Sequence, residues 1–109
     1  MSVQEFTDQN FDAEVLQADQ PVLVDFWAPY CMPCRALLPV IEELAAENAG
    51  SAKIGKLNIQ EHQQTAIKYS VQNIPTLLVV RNGEVLQRWT GMPSKADMQE
   101  ALDSAKAAS

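Results

Sequence analysis

An α/β fold, with one mixed sheet covered by helices on both faces, is what these 109 residues predict. Apolar runs of strand length alternate with segments whose apolar residues recur at helical spacing. The run Val22-Leu23-Val24-Asp25-Phe26-Trp27 is apolar at nearly every position, as a strand buried on both faces must be. Asn82-Gly83, set between two apolar runs, is a tight hairpin signal that places an antiparallel pair near the end of the order.

The elements follow in order β-α-β-α-β-α-β-β-α, a five-stranded sheet with four helices. Val3 to Phe6 reads as a short strand. Thr7 then suits an N-cap with Asp8 in the first turn, and Phe6 and Phe11 occupy the two staple positions of a helix from about Asp8 to Leu16. Pro21 opens the central strand and Pro29 ends it by restricting Ala28. From about Met32, residues Leu37, Leu38, Ile41, Leu44 and Ala45 keep helical spacing until Asn48 and Gly50. Pro39 lies inside this helix and predicts a kink, not a stop, because the periodicity continues past it. A strand at about Lys53 to Asn58, a polar helix through Ala66, Ile67 and Tyr69, and strands Thr76 to Val80 and Glu84 to Trp89 come next. Ser94 and Asp97 form a capping pattern for a last helix to about Ala105, followed by a frayed tail to Ser109.

The length suits a single domain, residues 1–109, and the 47% hydrophobic content suffices for one core. Eight Lys and Arg against fourteen Asp and Glu give a formal net charge of -6, which repels nucleic acid and anionic membranes on average. The N-terminal Met-Ser-Val-Gln-Glu lacks the basic and apolar segments of a secretory signal, and no run approaches a membrane span, so a cytoplasmic location is expected. Two cysteines three apart do not staple distant segments, and the single histidine, His62, does not complete a zinc site; no metal is expected. His62 sits in Gln60-Glu61-His62-Gln63-Gln64, the polar start of a surface helix, and Trp89 reads as packing against the sheet.

Cys31-Met32-Pro33-Cys34, between a buried strand and a helix, carries the strongest chemical signal. Free N–H groups and the helix dipole favour an anion at this point, and Arg35 adds positive charge, so a Cys31 thiolate is stabilised there. Cys34, one turn into the helix, is more buried and holds its proton more tightly. Two structural cysteines, or half of an intermolecular zinc site, are the alternatives. Asp25 is the second informative residue. An acid in the middle of an apolar strand is costly to bury ionised, so it has a raised pKa and is a candidate proton carrier, unless it lies at an edge with its carboxyl in solvent.

The segment Val24-Asp25-Phe26-Trp27-Ala28-Pro29-Tyr30-Cys31-Met32-Pro33-Cys34-Arg35 resembles the active-site segment of the thioredoxin family. Pro39, Lys56-Leu57-Asn58, Ile74-Pro75-Thr76, Asn82-Gly83 and Gly91 extend the resemblance over nearly the whole chain. It implies the thioredoxin fold and a cycle in which Cys31 attacks a substrate disulfide and Cys34 resolves the mixed disulfide. It also implies that Asp25 helps deprotonate Cys34, with Lys56 as its charged neighbour or, equally, as a solvated strand residue. Pro75 is implied to be cis, against about 5% for such bonds in general. By the same resemblance, that turn is implied to leave the Ile74 backbone open to pair with an extended substrate and to deny metals access to the thiols. Trp27, Pro33, Ile74, Gly91 and Met92 are implied to ring the sulfur as a docking surface; Trp27 fits a core role equally well, and Met92-Pro93 a loop-packing one.

Two positions depart from the family pattern. Tyr30 stands where tryptophan is usual and keeps an aromatic contact with an added hydroxyl. Met32 stands where glycine is usual and brings an apolar, oxidisable side chain without charge, so a potential near the reducing end of the family is expected. The resemblance implies a carrier that reduces protein disulfides as a monomer, binds no cofactor, and is itself reduced by a thioredoxin reductase, an NADPH-dependent flavoprotein. A non-redox binding module needs neither thiol. An oxidase or isomerase is disfavoured by the cytoplasmic character and by the lack of histidine between the cysteines.

Overall fold

The computed structural model describes residues 3–108. Five strands, β1 (Gln4–Phe6), β2 (Val22–Trp27), β3 (Lys53–Asn58), β4 (Thr76–Arg81) and β5 (Glu84–Thr90), form one sheet in the order β1-β3-β2-β4-β5. The pairs β1–β3 and β3–β2 are parallel, while β2–β4 and β4–β5 are antiparallel, so the sheet is mixed as expected. Helices α1 (Met32–Glu47), α2 (Gln63–Lys68) and α3 (Lys95–Ala107) and a short π-wound helix (Asp12–Leu16) complete the four-helix complement.

Strand β2 is central because all but its last residue are buried. Its alternation sorts the core into two layers. Leu23, with Ile54, Leu77 and Val79 of the neighbouring strands, packs against Leu37, Ile41 and Leu44 of α1 and Met98 and Leu102 of α3. Val22, Val24 and Phe26 face the other way, onto Phe6, Phe11 and Val15, with Tyr69 half-buried against them. Asp25 and Trp27 therefore share the face of Leu23, under α1.

Gly55, between β1 and β2 in the sheet, has a packing reason. A Cβ built there would overlap the Phe6 ring and lie 2.9 Å from the Gln4 carbonyl oxygen. The hairpin is as read: Asn82 and Gly83 have φ of 55° and 78°, the left-handed pair that a two-residue turn requires.

Two boundaries differ from expectation by more than one residue. The first helix begins at Asp12, not Asp8. Thr7 and Asn10 exchange backbone–side-chain hydrogen bonds, N–H to Oδ1 at 2.8 Å and N–H to Oγ1 at 2.9 Å, which shapes residues 8–10 as a turn. At the other end, α3 continues through Ala107 instead of fraying from Ala105. Ala105 is 1% exposed within the core, and Lys106 bonds the Asn48 and Asp103 side chains at 3.1 and 3.2 Å. Ser109, assigned to the tail, lies outside the described residues.

Candidate active site

The chain leaves β2 at Trp27, turns over residues 28–30, and enters α1 with Cys31 at the N-cap. Pro33 fits the first turn because its missing N–H has no intrahelical partner there to lose. The Cys31 sulfur accepts a hydrogen bond from the Cys34 backbone N–H at 3.2 Å, the bond that Ser or Asp oxygens make at other helix starts. Cys31 and Cys34 form a disulfide, with Cα atoms 5.2 Å apart.

Their exposures differ in kind. Cys31 is 8% exposed and reaches the surface, while Cys34 is fully buried in line with Leu37 and Ile41 on the inner stripe of α1. The helix runs unbroken through Pro39.

Opposite the disulfide, the Ile74-Pro75 bond is cis, and the Ile74 carbonyl oxygen lies 3.8 Å from the Cys31 sulfur. The Gly91 N–H donates to the Pro75 carbonyl at 2.8 Å, with Gly91 at φ 108°. The cis-proline turn thus faces the Cys31 sulfur, and the start of the loop before α3 is tied to that turn through Gly91. Tyr30 (65% exposed), Met32 (71%) and Pro33, beside Cys31 in the chain, and Met92, next to Gly91, reach solvent. Trp27 is half-buried, and its ring carries the Lys56 ammonium 4.8 Å from its centroid.

Asp25 is wholly buried, and neither carboxyl oxygen has a hydrogen-bond partner among the described residues. It is not an edge residue. Burial pushes its pKa up to about 7, against the opposing pull of Lys56, which stands directly across from it in the β2–β3 register.

One neighbour of the site escaped the sequence reading. A cleft of about 310 Å³ lies beside Tyr30, lined also by Ile59, Gln60, Gln63, Ala66 and Ile67. Ile67 is 74% exposed. Only an exposed isoleucine on a short polar helix hinted at it. His62, expected on a surface helix, is the residue before α2, and its Nδ1 accepts from the Asp8 N–H at 3.3 Å. No cluster of three or more His, Cys, Asp or Glu able to hold a metal occurs among the described residues, and no helix there is long and apolar enough to cross a membrane.

Comparison with known proteins gives the same picture. The thioredoxin family model matches residues 2–104. The chain is 46% identical to thioredoxin C-2 of Corynebacterium nephridii over 97 residues, covering 89% of this chain and 90% of that protein. It is 48% identical to the thioredoxin of Buchnera aphidicola subsp. Acyrthosiphon pisum over 99 residues, 91% and 92% of the two chains. With the thioredoxin of Bacillus subtilis it shares 45% identity over 103 residues, 94% and 97%. With its disulfide at the head of α1, the chain belongs to the thioredoxin family and is a thiol–disulfide oxidoreductase that reduces protein disulfides.

Proposed function

We propose that Cys31 is the attacking group, Cys34 the resolving one and Asp25 the base that serves it. The observation that carries this division of labour is the contrast in burial between the two sulfurs, because a protein disulfide can reach Cys31 but not Cys34. In the reduced state, the N–H groups at the start of α1 favour a thiolate on Cys31. That thiolate attacks one sulfur of the substrate disulfide, forms a mixed disulfide, and releases the other sulfur as a thiolate that takes a proton from water. Cys34 passes its proton to Asp25 and attacks the Cys31 sulfur. The Cys31–Cys34 bond forms, the bond to substrate breaks, and the second substrate thiolate leaves. The substrate gains two electrons and the pair loses two. Asp25 then returns its proton to solvent, with Lys56 as the charge nearest to it.

Tyr30, Met32, Pro33, Ile74, Pro75, Gly91 and Met92 form the substrate surface in this scheme, with Trp27 at its base. What supports it is the exposure of Tyr30, Met32 and Pro33 beside Cys31 in the chain, the Ile74 carbonyl 3.8 Å from the Cys31 sulfur, and the bond from Gly91 to Pro75 that ties the Met92 loop to that turn. The whole chain acts as one domain and as a monomer in the cytoplasm, and an NADPH-dependent flavoprotein reductase restores the dithiol.

Cys34→Ser tests the order of events. The variant is expected to accumulate a covalent adduct with a disulfide-bonded protein that dithiothreitol releases, whereas Cys31→Ser forms none. Adduct formation by Cys31→Ser would overturn the assignment. A reduction potential near about -270 mV supports the reducing direction, and one between about -180 and -120 mV would reverse it.

A further inference from the structure

Three side chains line up across the parallel part of the sheet on the face covered by α1. Glu5 of β1 is in register with Lys56 of β3, and Lys56 is in register with Asp25 of β2. Phe6, the neighbour of Glu5, points to the opposite layer, as do Leu57 beside Lys56 and Phe26 beside Asp25. The row therefore runs from the sheet edge, where the Glu5 side chain is 75% exposed, through Lys56 at 24%, to the buried Asp25.

An ammonium between two carboxylates is free to pair with either, and here it has chosen. The Lys56 Nζ lies 3.7 Å from Glu5 Oε2 and 4.8 Å from the centre of the Trp27 ring. Asp25 keeps both oxygens without a hydrogen bond among the described residues. Among the described residues, Lys56 is the one charge that acts on Asp25. The β4 partner of Asp25 is Leu77, and the buried residues of the two covering helices are Cys34, Leu37, Ile41, Leu44 and Ala45 of α1 and Met98, Leu102 and Ala105 of α3.

We propose that Glu5 is a positioning residue: by holding the Lys56 ammonium at the outer edge of the sheet, it keeps the Asp25 carboxyl unpaired and ready to take up a proton. Glu5 touches neither substrate nor sulfur. It acts through Lys56, and its relevance to turnover rests on the reading of Asp25 as the base for Cys34.

The test is the proton affinity of Asp25 itself, followed by carbon NMR of its side-chain carboxyl over pH in the full-length oxidised protein. Glu5→Gln removes the outer charge at an exposed position. Lys56 then swings toward Asp25, and a like charge is lost as well, so both effects lower the Asp25 midpoint. The expected change is about twofold to fivefold in proton affinity, the range of an exposed ion pair. In a Lys56→Met background the same substitution should lose at least half of that effect. An Asp25 midpoint that stays put or rises in Glu5→Gln overturns the proposal, and so does an undiminished effect without Lys56.

A second readout separates this from the mechanism beneath it. The rate at which Cys34 resolves a preformed mixed disulfide is measured over pH in both proteins. A rate profile that moves with the Asp25 midpoint supports positioning and base role together. A midpoint that moves while the rate profile does not supports the positioning by Glu5 and refutes Asp25 as the base.

Discussion

Removing the buried carboxyl should stabilise the protein, and the gain should depend on pH in a defined direction. Asp25 has an ordinary value of 3.8 and is pushed up to about 7 in the fold. Between these values the native chain holds a proton that the unfolded chain has released, so native stability falls as pH rises, by about 1.4 kcal/mol per unit. Across some three units this amounts to about 4 kcal/mol, fully lost above about pH 7 and fully recovered below about pH 4. Asp25→Ala removes that penalty and breaks no hydrogen bond, since Asp25 makes none among the described residues. It leaves a small void that costs about 1 kcal/mol. The variant should thus be about 3 kcal/mol more stable than the wild type at pH 8 and about 1 kcal/mol less stable near pH 3.5. Urea unfolding of both oxidised proteins at half-unit intervals measures the difference, in which all other titrating groups cancel. A stability difference that is flat over this window would refute the burial account of Asp25.

Other substitutions probe separate parts of the structure. Ser94 accepts a hydrogen bond from the Asp97 N–H at 3.0 Å as the N-cap of α3, so Ser94→Ala should cost about 1 kcal/mol in urea unfolding. Gly55→Ala forces the Phe6 ring away from β3 and should cost about 1 to 3 kcal/mol, with the loss visible as a lowered melting temperature. Tyr30→Ala opens one wall of the cleft that also holds Ile67; it should raise KM for a protein disulfide several-fold, and more than for a small aromatic disulfide, in steady-state assays.

Where a segment's own residues decide its conformation, the sequence was sufficient. The run from Val22 to Phe26 is buried on both faces and could only be central, and Asn82-Gly83 specifies its turn locally. The buried acid was legible for the same reason, as a charge inside an apolar strand. What escaped depends on partners remote in sequence. Asp8 suits the first turn of a helix, yet its carboxyl accepts from the Thr65 N–H at 2.9 Å and the Thr65 hydroxyl at 2.7 Å, 57 residues away. Burial pushes that carboxyl up, but the bonds from Thr65 and Gln64 outweigh it and hold it below the usual range. Glu5 reaches Lys56 only because β1 pairs with β3, and no local pattern reports which strands become neighbours. The α2 cleft has the same origin, in the approach of Ile67 to Tyr30 across the fold.

A sulfur atom caps α1, and that makes folding and electrochemistry two views of one quantity. Oxidised and reduced, folded and unfolded are the four corners of a closed thermodynamic box. The extra unfolding free energy of one redox form over the other must equal the difference between the potentials of the pair in the native and the denatured chain, at about 30 mV for each 1.4 kcal/mol. The Cys34 N–H meets the Cys31 sulfur on the native side of that box alone. Any substitution that loosens the head of α1 in one redox form more than the other will therefore shift the potential without touching either cysteine.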